Sequence, residues 1–285
     1  MILRFFSDFN SSAQLQQVFT TISTIIPPNI TITHSDHFTH AIIINTVMPI
    51  LTIPKHNVIG LAFEPFPFLG LSATFIRYAI DNIHKYYIGD LPPGLPDLFV
   101  AGNAFLTYNT PPKVIPTKTR PLSIMVSQKR YAQGHIYRHT LVQAILASDL
   151  PIDIFGRGCA DYANTNDPRL KGDFDQNDNI LYETYNYHIA IENYRSQHYF
   201  SEKIINPLLC STIPVYLGCV NIQQYFPDNV ILLSGDVERD MELLRDIIAS
   251  PEKYHRDINI DIIEDRVNLL TKLGSSDPTT PNLFN

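Results

Sequence analysis

Short apolar runs alternate with stretches of helical periodicity along this chain, and this alternation restricts its fold more than any other feature. In the first half the apolar runs are ILRFFS, ITITHS, AIIINTV and VIGLAFE, with a helix predicted from about Ser12 to Ser23. In the second half LSIMVS, IDIFGR, YHIAIE, IPVYLG and VILLS alternate with the helical stretches IYRHTLVQAILASD, SEKIINPLL and DVERDMELLRDIIASPEKY. Strands that alternate with helices form parallel sheets covered by those helices. The sequence therefore predicts an α/β protein.

The length of the chain and one internal break indicate two lobes. The chain has 285 residues, more than the roughly 100 to 150 residues of a typical domain. The stretch Tyr108–Pro121 is rich in proline, threonine and lysine and has no apolar periodicity, so it is typical of a linker. We predict an N-terminal lobe over 1–115, a C-terminal lobe over 116–255, an amphipathic helix over 256–273 that packs back on the first lobe, and a flexible tail over 274–285.

Charge and composition argue against several classes of partner. The formal charge is 21 − 28 = −7 and no basic run occurs, so the positive surface that duplex nucleic acid requires is not encoded. No apolar run reaches the roughly 20 residues of a membrane span, and MILRFFSDFN is too poor in apolar residues for a secretion signal. The three cysteines, Cys159, Cys210 and Cys219, form no Cys-x-x-Cys pair, which argues against disulfides and zinc. We expect a soluble cytoplasmic protein with no membrane span and no nucleic-acid partner.

A loop between a predicted strand and a predicted helix, Ile189–Lys203 (IAIENYRSQHYFSEK), concentrates polar and aromatic side chains. The strand ends at Glu192, and Ser201 is a suitable N-cap for the helix that follows. Backbone N–H groups and the positive end of the helix dipole would meet Lys203 here, an arrangement suited to a pyrophosphate. Ordinary compensation of the helix dipole by charged residues explains the pattern equally well.

The other side chains of this loop suit the neutral parts of a nucleotide. Glu202 is expected to accept hydrogen bonds from hydroxyls such as those of a ribose, and Glu192 either does the same or orients Lys203. Tyr194 and Tyr199 offer flat faces and hydroxyls for a base or a sugar.

The segment YHIAIENYRSQHYFSEK and the following IPVYLG resemble the donor-binding signature of the α1,3-fucosyltransferases, glycosyltransferase family 10. That signature reads Phe-x-x-x-Phe-Glu-Asn-Ser, a short gap, Tyr-x-Thr-Glu-Lys and a Pro-Val-x-x-Gly strand. Upstream, LSIMVSQKRYAQGHIYRHTLVQAILASDLPIDIFGRG resembles a second family element, with an arginine on the helix and a strand that ends in Gly-Arg. The resemblance covers about 123–234. It implies a GT-B fold, in which two Rossmann-like lobes with parallel sheets face an inter-lobe cleft, and an inverting glycosyl transfer.

The same resemblance implies roles for individual residues. Arg138 and Lys203 would bind the diphosphate of the donor, Glu202 the ribose hydroxyls, and Asn193 and Tyr199 the donor more generally. The donor would occupy the second lobe and a glycan acceptor the first.

Because the segment departs from the family pattern at two positions, the identity of the donor sugar stays open. Tyr194 stands where the family has serine, and Ser201 where it has threonine. The donor is therefore GDP-fucose by resemblance, or another GDP- or UDP-sugar such as UDP-xylose. The lack of a membrane anchor departs from the Golgi members of the family and favours a bacterial or viral origin.

Fixed cations have a physical reason to be in such a site. Negative charge accumulates on the departing nucleotide diphosphate, and preorganised cations lower the barrier to its departure. Arginine binds phosphate in a bidentate manner and keeps its charge. Arg157 in FGRG is a further candidate, with a surface cation beside a turn as the alternative. No cofactor beyond the donor and no metal is predicted.

An inverting transfer also needs a base to accept the proton of the acceptor hydroxyl. Glu64 in IGLAFEPFPFLG follows an apolar strand and has aromatic neighbours in the sequence. Desolvation by such rings would raise the pKa of a carboxyl toward the range of a base that works at neutral pH. The family's base is likewise a glutamate in this lobe. A solvated glutamate before a proline is the alternative.

Other patterns indicate different functions more weakly. THSDHFTH brings His34, Asp36, His37 and His40 together, which would suit a metal-dependent hydrolase, but surface histidines are favoured because zinc spacing and a nucleophile motif are missing. The loop Gly172–Asn179 contains an Asp-x-Asp pair and departs from the EF-hand pattern, so it is interpreted as solvated. A catalytically inactive, glycan-binding GT-B protein is a further alternative. Nothing in the sequence predicts the oligomeric state.

Overall fold

The computed structural model describes residues 1–23, 25–103, 107–174, 178–274 and 283–284. These residues fold into two compact units. The first unit comprises Met1–Thr110, Ser196–Tyr199 and Asp265–Asn285, and the second comprises Pro111–Arg195 and Phe200–Glu264. The predicted flexible tail, 274–285, falls almost entirely outside the described residues.

The first unit is built on a six-stranded sheet in which every pair of neighbouring strands is parallel. Its elements are β1 (Ile2–Phe6), α1 (Ser12–Ile22), β2 (Thr31–Thr33), β3 (His40–Ile44), β4 (Val58–Leu61), α2 (Phe66–Leu69), α3 (Ala73–Asn82), β5 (Lys85–Ile88) and β6 (Phe99–Ala101). The strand order is β2-β1-β3-β4-β5-β6. Its first five strands follow the flavodoxin-like order 2-1-3-4-5, which places a topological switch point between β1 and β3.

The core of the first unit explains why its central strands are almost entirely apolar. Four of the five residues of β3 and all four of β4 are buried, as expected for parallel strands covered on both faces. Tyr86 of β5 is fully buried and lies directly over Gly60 of β4, where an added Cβ would stand 2.0 Å from the tyrosine ring. A glycine in the middle of β4 is therefore required by the close approach of this ring.

The second unit contains another six-stranded parallel sheet, with the order β12-β11-β10-β7-β8-β9. Its elements are β7 (Arg120–Met125), α4 (Gln133–Leu146), β8 (Ile152–Phe155), β9 (Leu170–Gly172), β10 (Tyr185–Ile191), α5 (Glu202–Leu209), β11 (Ile213–Leu217), β12 (Ile231–Leu232) and α6 (Val237–Ala249). Counted from β7 as the first strand, this order is 6-5-4-1-2-3, which is the Rossmann order 3-2-1-4-5-6 taken from the opposite edge. The switch point of this sheet lies between β7 and β10.

The end of the predicted linker is anchored to the second unit. Residues 107–119 contain no helix or strand, as predicted, but β7 begins at Arg120, inside the predicted linker. Lys118 Nζ donates hydrogen bonds to Cys210 O and Thr212 Oγ1, both at 2.7 Å, and to Tyr182 O at 3.1 Å. Burial lowers the pKa of Lys118 to about 8. Lys118 thus fixes the start of β7 against the segments around β10 and β11.

The prediction of one continuous helix over 256–273 is wrong. The segment forms two helices, α7 (Ile260–Val267) and α8 (Leu269–Gly274). The break falls at Asn268, which is 2% exposed. Its Oδ1 accepts a hydrogen bond from Leu270 N at 3.0 Å, and its Nδ2 donates to Ile25 O at 3.1 Å. An asparagine that bonds the backbone two residues ahead starts a new helix rather than continuing the old one.

Among the residues that the structure describes, no helix combines the length and the hydrophobicity that crossing a membrane would require.

Candidate functional site

The switch point of the second unit brings the start of α4 against the end of β10. Gly134 N donates a hydrogen bond to Asn193 O at 3.1 Å. An added Cβ at Gly134 would stand 1.7 Å from Glu192 O, so only glycine permits this approach. In open parallel sheets ligands bind at this position, beyond the carboxyl ends of the strands. The polar loop identified in the sequence therefore lies where the topology predicts a ligand.

We expect Gly134→Ala to destabilise the protein by about 1–3 kcal/mol or more, because inserting a methyl group into a packed position forces the backbone to move. Urea unfolding would measure the loss. A matched control is Gly102→Ala, whose Cβ would meet only the side chain of Tyr87, at 3.3 Å. Equal stability of the two variants would contradict the close contact between Gly134 and Glu192.

Glu192 is the buried centre of a polar cluster that also contains Ser201, Glu202 and Lys203. Only 1% of its surface is exposed. Its Oε1 accepts a hydrogen bond from Ser201 N at 2.8 Å, and its Oε2 accepts one from Ser201 Oγ at 2.7 Å. Lys203 Nζ lies 3.9 Å from Oε2. Burial raises the pKa of Glu192, while Lys203 and the hydrogen bonds from Ser201 act in the opposite direction. Glu192 therefore ties the end of β10 to the start of α5.

Lys203 is held at the N-terminus of α5 between two carboxylates. Ser201 is the N-cap of α5 and accepts a hydrogen bond from Lys203 N at 3.3 Å, as predicted. Lys203 Nζ contacts Glu202 Oε1 at 2.8 Å. Burial opposes the charge of Lys203, but Glu202 and Glu192 raise its pKa above the ordinary value. Burial would likewise raise the pKa of Glu202, yet the ion pair with Lys203 lowers it. Lys203 is thus positively charged and Glu202 negatively charged at neutral pH.

Arg138 lies in the same region as Lys203. Arg138 is 4% exposed, and its Nη2 donates a hydrogen bond to Ile191 O, the last residue of β10. Burial lowers the pKa of His135 to about 4, and the positive charges of Arg138 and Lys203 both contribute to that lowering. The side chain of Asn193 acts on the pKa of His135 in the opposite direction. Arg138 donates to the carbonyl of Ile191, and Lys203 lies 3.9 Å from the carboxylate of Glu192, the next residue, so both cations lie at the end of β10.

A cavity of about 170 Å³ opens beside this cluster. Its lining includes Gly134 and Tyr137 of α4, Glu192 and Tyr194 of the loop after β10, and Gly218 after β11. An added Cβ at Gly218 would stand 2.4 Å from Glu192 Cγ. Tyr194 thus lines the cavity, and its role in binding a base or a sugar stays a prediction. Gly134 and Gly218 leave room for the backbone to approach Glu192.

Arg157 lies apart from this cavity. It is exposed and lines a different, larger cavity of about 690 Å³, together with Gln128 after β7 and Gly156 after β8. The two cavities share no lining residue. Gly156 has φ +100°, and an added Cβ would stand 2.4 Å from Val126 O. The close approach of these two backbone segments therefore also requires glycine. The assignment of Arg157 to the diphosphate stays a prediction.

Two other predicted site residues belong to the first unit. Tyr199 is 7% exposed and lies in the segment Ser196–Tyr199, which belongs to the first unit. Glu64 follows β4 and is exposed. The predicted burial of Glu64 against aromatic rings is wrong, because Glu64 is itself exposed, and Phe66 and Phe68 are 38% and 39% exposed. The roles of Glu64 and Tyr199 stay predictions.

Asn45 organises the carboxyl end of the first sheet, at its switch point between β1 and β3. It has φ +55°, unusual for a residue other than glycine, and is 9% exposed. Its Nδ2 donates to Asp8 Oδ1 at 3.4 Å, and its Oδ1 accepts from Phe63 N at 2.9 Å. Tyr86 OH donates to Asn45 O at 2.8 Å. Asn45 thereby fixes the backbone immediately before Glu64.

The histidine-rich segment forms separate contacts. His34 Nδ1 pairs with Gln16 Oε1 at 2.6 Å, Asp36 forms an ion pair with Arg4 at 2.6 Å, and His40 pairs with Thr39 Oγ1 at 2.9 Å. Within the described ranges no group of three or more His, Cys, Asp or Glu residues is placed to hold a metal. Part of the loop Gly172–Asn179, including Asp175 of its Asp-x-Asp pair, lies outside those ranges.

Several residues of the site were not identified from the sequence. They are Gly134, His135, Tyr137, Tyr216 and Gly218. Tyr216 OH contacts Glu192 Oε1 at 3.5 Å and accepts a hydrogen bond from Cys219 N at 2.9 Å. Gly134 and His135 were missed because the predicted helix began at Ile136, whereas α4 begins at Gln133. Gly134, two residues before the helical periodicity starts, was the available signal.

Comparisons with known proteins agree with this geometry. Residues 115–255 match the family model "Glycosyltransferase family 10 (fucosyltransferase) C-term". A protein of Acanthamoeba polyphaga mimivirus named "Putative fucosyltransferase R654" is 28% identical over 117 residues, which are 36% of this chain and 20% of that relative. The chain thus matches only a small part of the length of that protein.

Two solved structures resemble the whole chain. An α1,3-fucosyltransferase with GDP has a TM-score of 0.52 at 11% identity, covering 99% of this chain and 92% of that one. An α1,3-fucosyltransferase with GDP-fucose has a TM-score of 0.51 at 12% identity, covering 92% and 81%. At such identities the likeness concerns the fold, and the predicted GT-B class, with two Rossmann-like units of parallel strands, is confirmed. From the family match, residues 115–255 of this chain are a glycosyltransferase family 10 (fucosyltransferase) C-terminal domain.

Proposed function

We propose that the protein is an inverting glycosyltransferase that moves a sugar from a nucleoside-diphosphate donor, GDP-fucose, to a hydroxyl of a glycan. The observation that carries this proposal is that Arg138 and Lys203 both contact the end of β10, at the switch point of a family 10 domain. The names of the similar proteins support the choice of donor, because solved relatives contain GDP and GDP-fucose. The glycan acceptor is proposed from family membership.

The charged cluster has the chemistry that a nucleoside diphosphate requires. Arg138 and Lys203 would oppose the charge of the two phosphates, and the N-terminus of α5 adds the positive end of a helix dipole. Glu202 is 42% exposed in its side chain and can accept hydrogen bonds from the ribose hydroxyls. Glu192 is buried and bonded to Ser201, so its role is to orient Lys203 and the start of α5 rather than to bind ribose.

The same cations would act on the leaving group. As the bond between the anomeric carbon and the diphosphate oxygen breaks, negative charge grows on the departing diphosphate. Arg138 and Lys203 are already fixed by Ile191 O and by two carboxylates, so they stabilise this charge without reorganisation. His135 stays neutral at pH 7, because its pKa is lowered to about 4, and adds no charge to the diphosphate site.

The acceptor hydroxyl would be activated by Glu64. Its carboxylate takes the hydroxyl proton while the acceptor oxygen attacks the anomeric carbon from the side opposite the diphosphate, which inverts the configuration. Glu64 is the only glutamate in the first 110 residues. Asn45 holds the adjacent backbone through Phe63 N, so the carboxylate would be presented from a fixed loop.

Calorimetric titration with GDP, UDP and GMP tests the proposal. We expect GDP to bind more tightly than GMP, because the second phosphate adds charge opposite Arg138 and Lys203, and UDP to bind more weakly than GDP. Tighter binding of UDP would move the donor to a UDP-sugar. If neither diphosphate binds at millimolar concentration, the proposed function fails.

A further inference from the structure

Asp240 is a buried carboxylate that the proposed mechanism does not use. It lies in the first turn of α6 and is 1% exposed. It accepts hydrogen bonds from Ser234 N and Ser234 Oγ, both at 2.7 Å, from Gly235 N at 3.0 Å and from Tyr137 OH. All four donors are neutral groups. A buried carboxylate is stabilised without a cation only when hydrogen bonds satisfy it in this way.

Two of these partners form part of the wall of the 170 Å³ cavity beside Glu192. Tyr137 and Gly235 both line that cavity. Gly235 has φ +85°, so the loop after β12 turns sharply at this point. Asp240 itself lies behind them. Its hydrogen bond with Tyr137 joins two residues that are 103 positions apart in the chain. The shape of the wall therefore depends on one carboxylate that lies outside the cavity.

The charges around this cavity favour a neutral, hydroxyl-bearing ligand group. Glu192 lines the cavity, but its side chain is fully buried and its carboxylate is bonded to Ser201, and the Asp240 carboxylate lies directly behind Tyr137 and Gly235. Two carboxylates this close to the cavity disfavour a phosphate group inside it. Tyr137 OH donates its proton to Asp240, so its oxygen can accept a hydrogen bond from a ligand hydroxyl. Arg195, an exposed cation, also lines the cavity.

We propose that Asp240 is a positioning residue that holds Tyr137 and the Ser234–Gly235 loop as the wall against which the neutral sugar of the donor lies. This inference rests on the proposed function, because it assumes a nucleotide-sugar whose diphosphate is held at Arg138 and Lys203. Asp240 then acts on the sugar and not on the nucleotide.

Asp240→Asn tests this assignment, because the amide replaces one acceptor oxygen with a donor that faces other donors. We expect the affinity for GDP-fucose to fall by about tenfold, the size of one lost hydrogen bond to a charged group, while the affinity for GDP changes less than twofold. Calorimetry on the full chain measures both ligands. Should the wild type prefer UDP, the same comparison uses UDP and UDP-xylose.

Asp246→Asn is the matched control. Asp246 lies on the same helix and also accepts a hydrogen bond from a tyrosine, Tyr254 OH at 2.6 Å, but this tyrosine, unlike Tyr137, does not line the cavity. Its substitution should change neither affinity. Should Asp240→Asn fail to fold, Tyr137→Phe replaces it, because it removes one hydroxyl and leaves three hydrogen bonds to Asp240. We expect Tyr137→Phe to lower the affinity for GDP-fucose by about threefold or more and to leave the affinity for GDP unchanged.

The outcomes separate this inference from the proposed function. If the wild type binds neither diphosphate, the proposed function fails. If it binds them and the folded variants keep the wild-type ratio of the two affinities, or lose both affinities equally, only the role of Asp240 is overturned. A purely structural role would lower the melting temperature without changing that ratio, and a selective loss of GDP-fucose affinity supports the assignment.

Discussion

Lys203→Ala is expected to lower the affinity for GDP by about 30-fold or more. Truncating one partner of a buried, hydrogen-bonded charge pair costs about 2–5 kcal/mol, and about 1.4 kcal/mol corresponds to tenfold in affinity. Lys203 is 16% exposed in its side chain and stands at the N-terminus of α5, so water replaces its ammonium group poorly. Calorimetric titration of the variant with GDP measures the effect. Arg138→Ala should give a loss of similar size.

The control for this prediction is Lys253→Ala. Lys253 is a lysine of the same unit that also pairs with a carboxylate, Asp246 at 3.3 Å, but its side chain is 59% exposed. An exposed pair contributes little, so both stability and GDP affinity should be nearly unchanged. Melting curves of all three variants establish that they are folded. If folded Lys203→Ala binds GDP as tightly as Lys253→Ala does, the diphosphate is not held by this cluster.

Glu64→Gln is expected to reduce sugar transfer by about a hundredfold to ten-thousandfold, the range over which general base catalysis contributes. The amide keeps the size of the side chain but cannot accept the proton of the acceptor hydroxyl. The affinity for GDP should be unchanged, because Glu64 belongs to the first unit and the diphosphate cluster to the second. A transfer assay with GDP-fucose and a panel of glycan acceptors gives the rate, and calorimetry gives the affinity.

Asp81→Asn serves as the control for Glu64→Gln, because Asp81 is an exposed carboxylate of the same unit on α3. Its transfer rate should equal that of the wild type. Wild-type turnover by Glu64→Gln would remove Glu64 from the mechanism and would leave the donor site unaffected. Loss of GDP affinity in the same variant would mean that the substitution disturbs the fold rather than the chemistry.

Structural features that depend on residues close together in the sequence could be predicted from it. The alternation of apolar strands with helices predicted parallel sheets in both units, and both are parallel throughout. Ser201 followed by Glu202 and Lys203 predicted the start of α5, and the N-cap bond from Lys203 N to Ser201 Oγ confirms it. These features depend on propensity, hydrophobic period and capping, which act within a few positions along the chain.

The environment of individual side chains was less predictable. Phe66 and Phe68 are close to Glu64 in the sequence, but Pro65 is the N-cap of a short helix and both rings remain partly exposed. The segment of Tyr199 belongs to the first unit, an assignment that the sequence did not indicate. Adjacency in the sequence does not fix the direction of a side chain in a loop, because loop backbones have no periodicity that assigns each residue to a face.

By itself, the sequence determined that this protein has two units of parallel sheet and that its polar loop with Lys203 lies between a strand and a helix. Only the tertiary structure decided the strand order that puts a switch point between β7 and β10, the contact of Gly134 with Glu192, and the bond between Tyr137 and Asp240. These contacts join residues far apart in the chain, and their existence depends on how whole strands and helices pack, which no local pattern encodes.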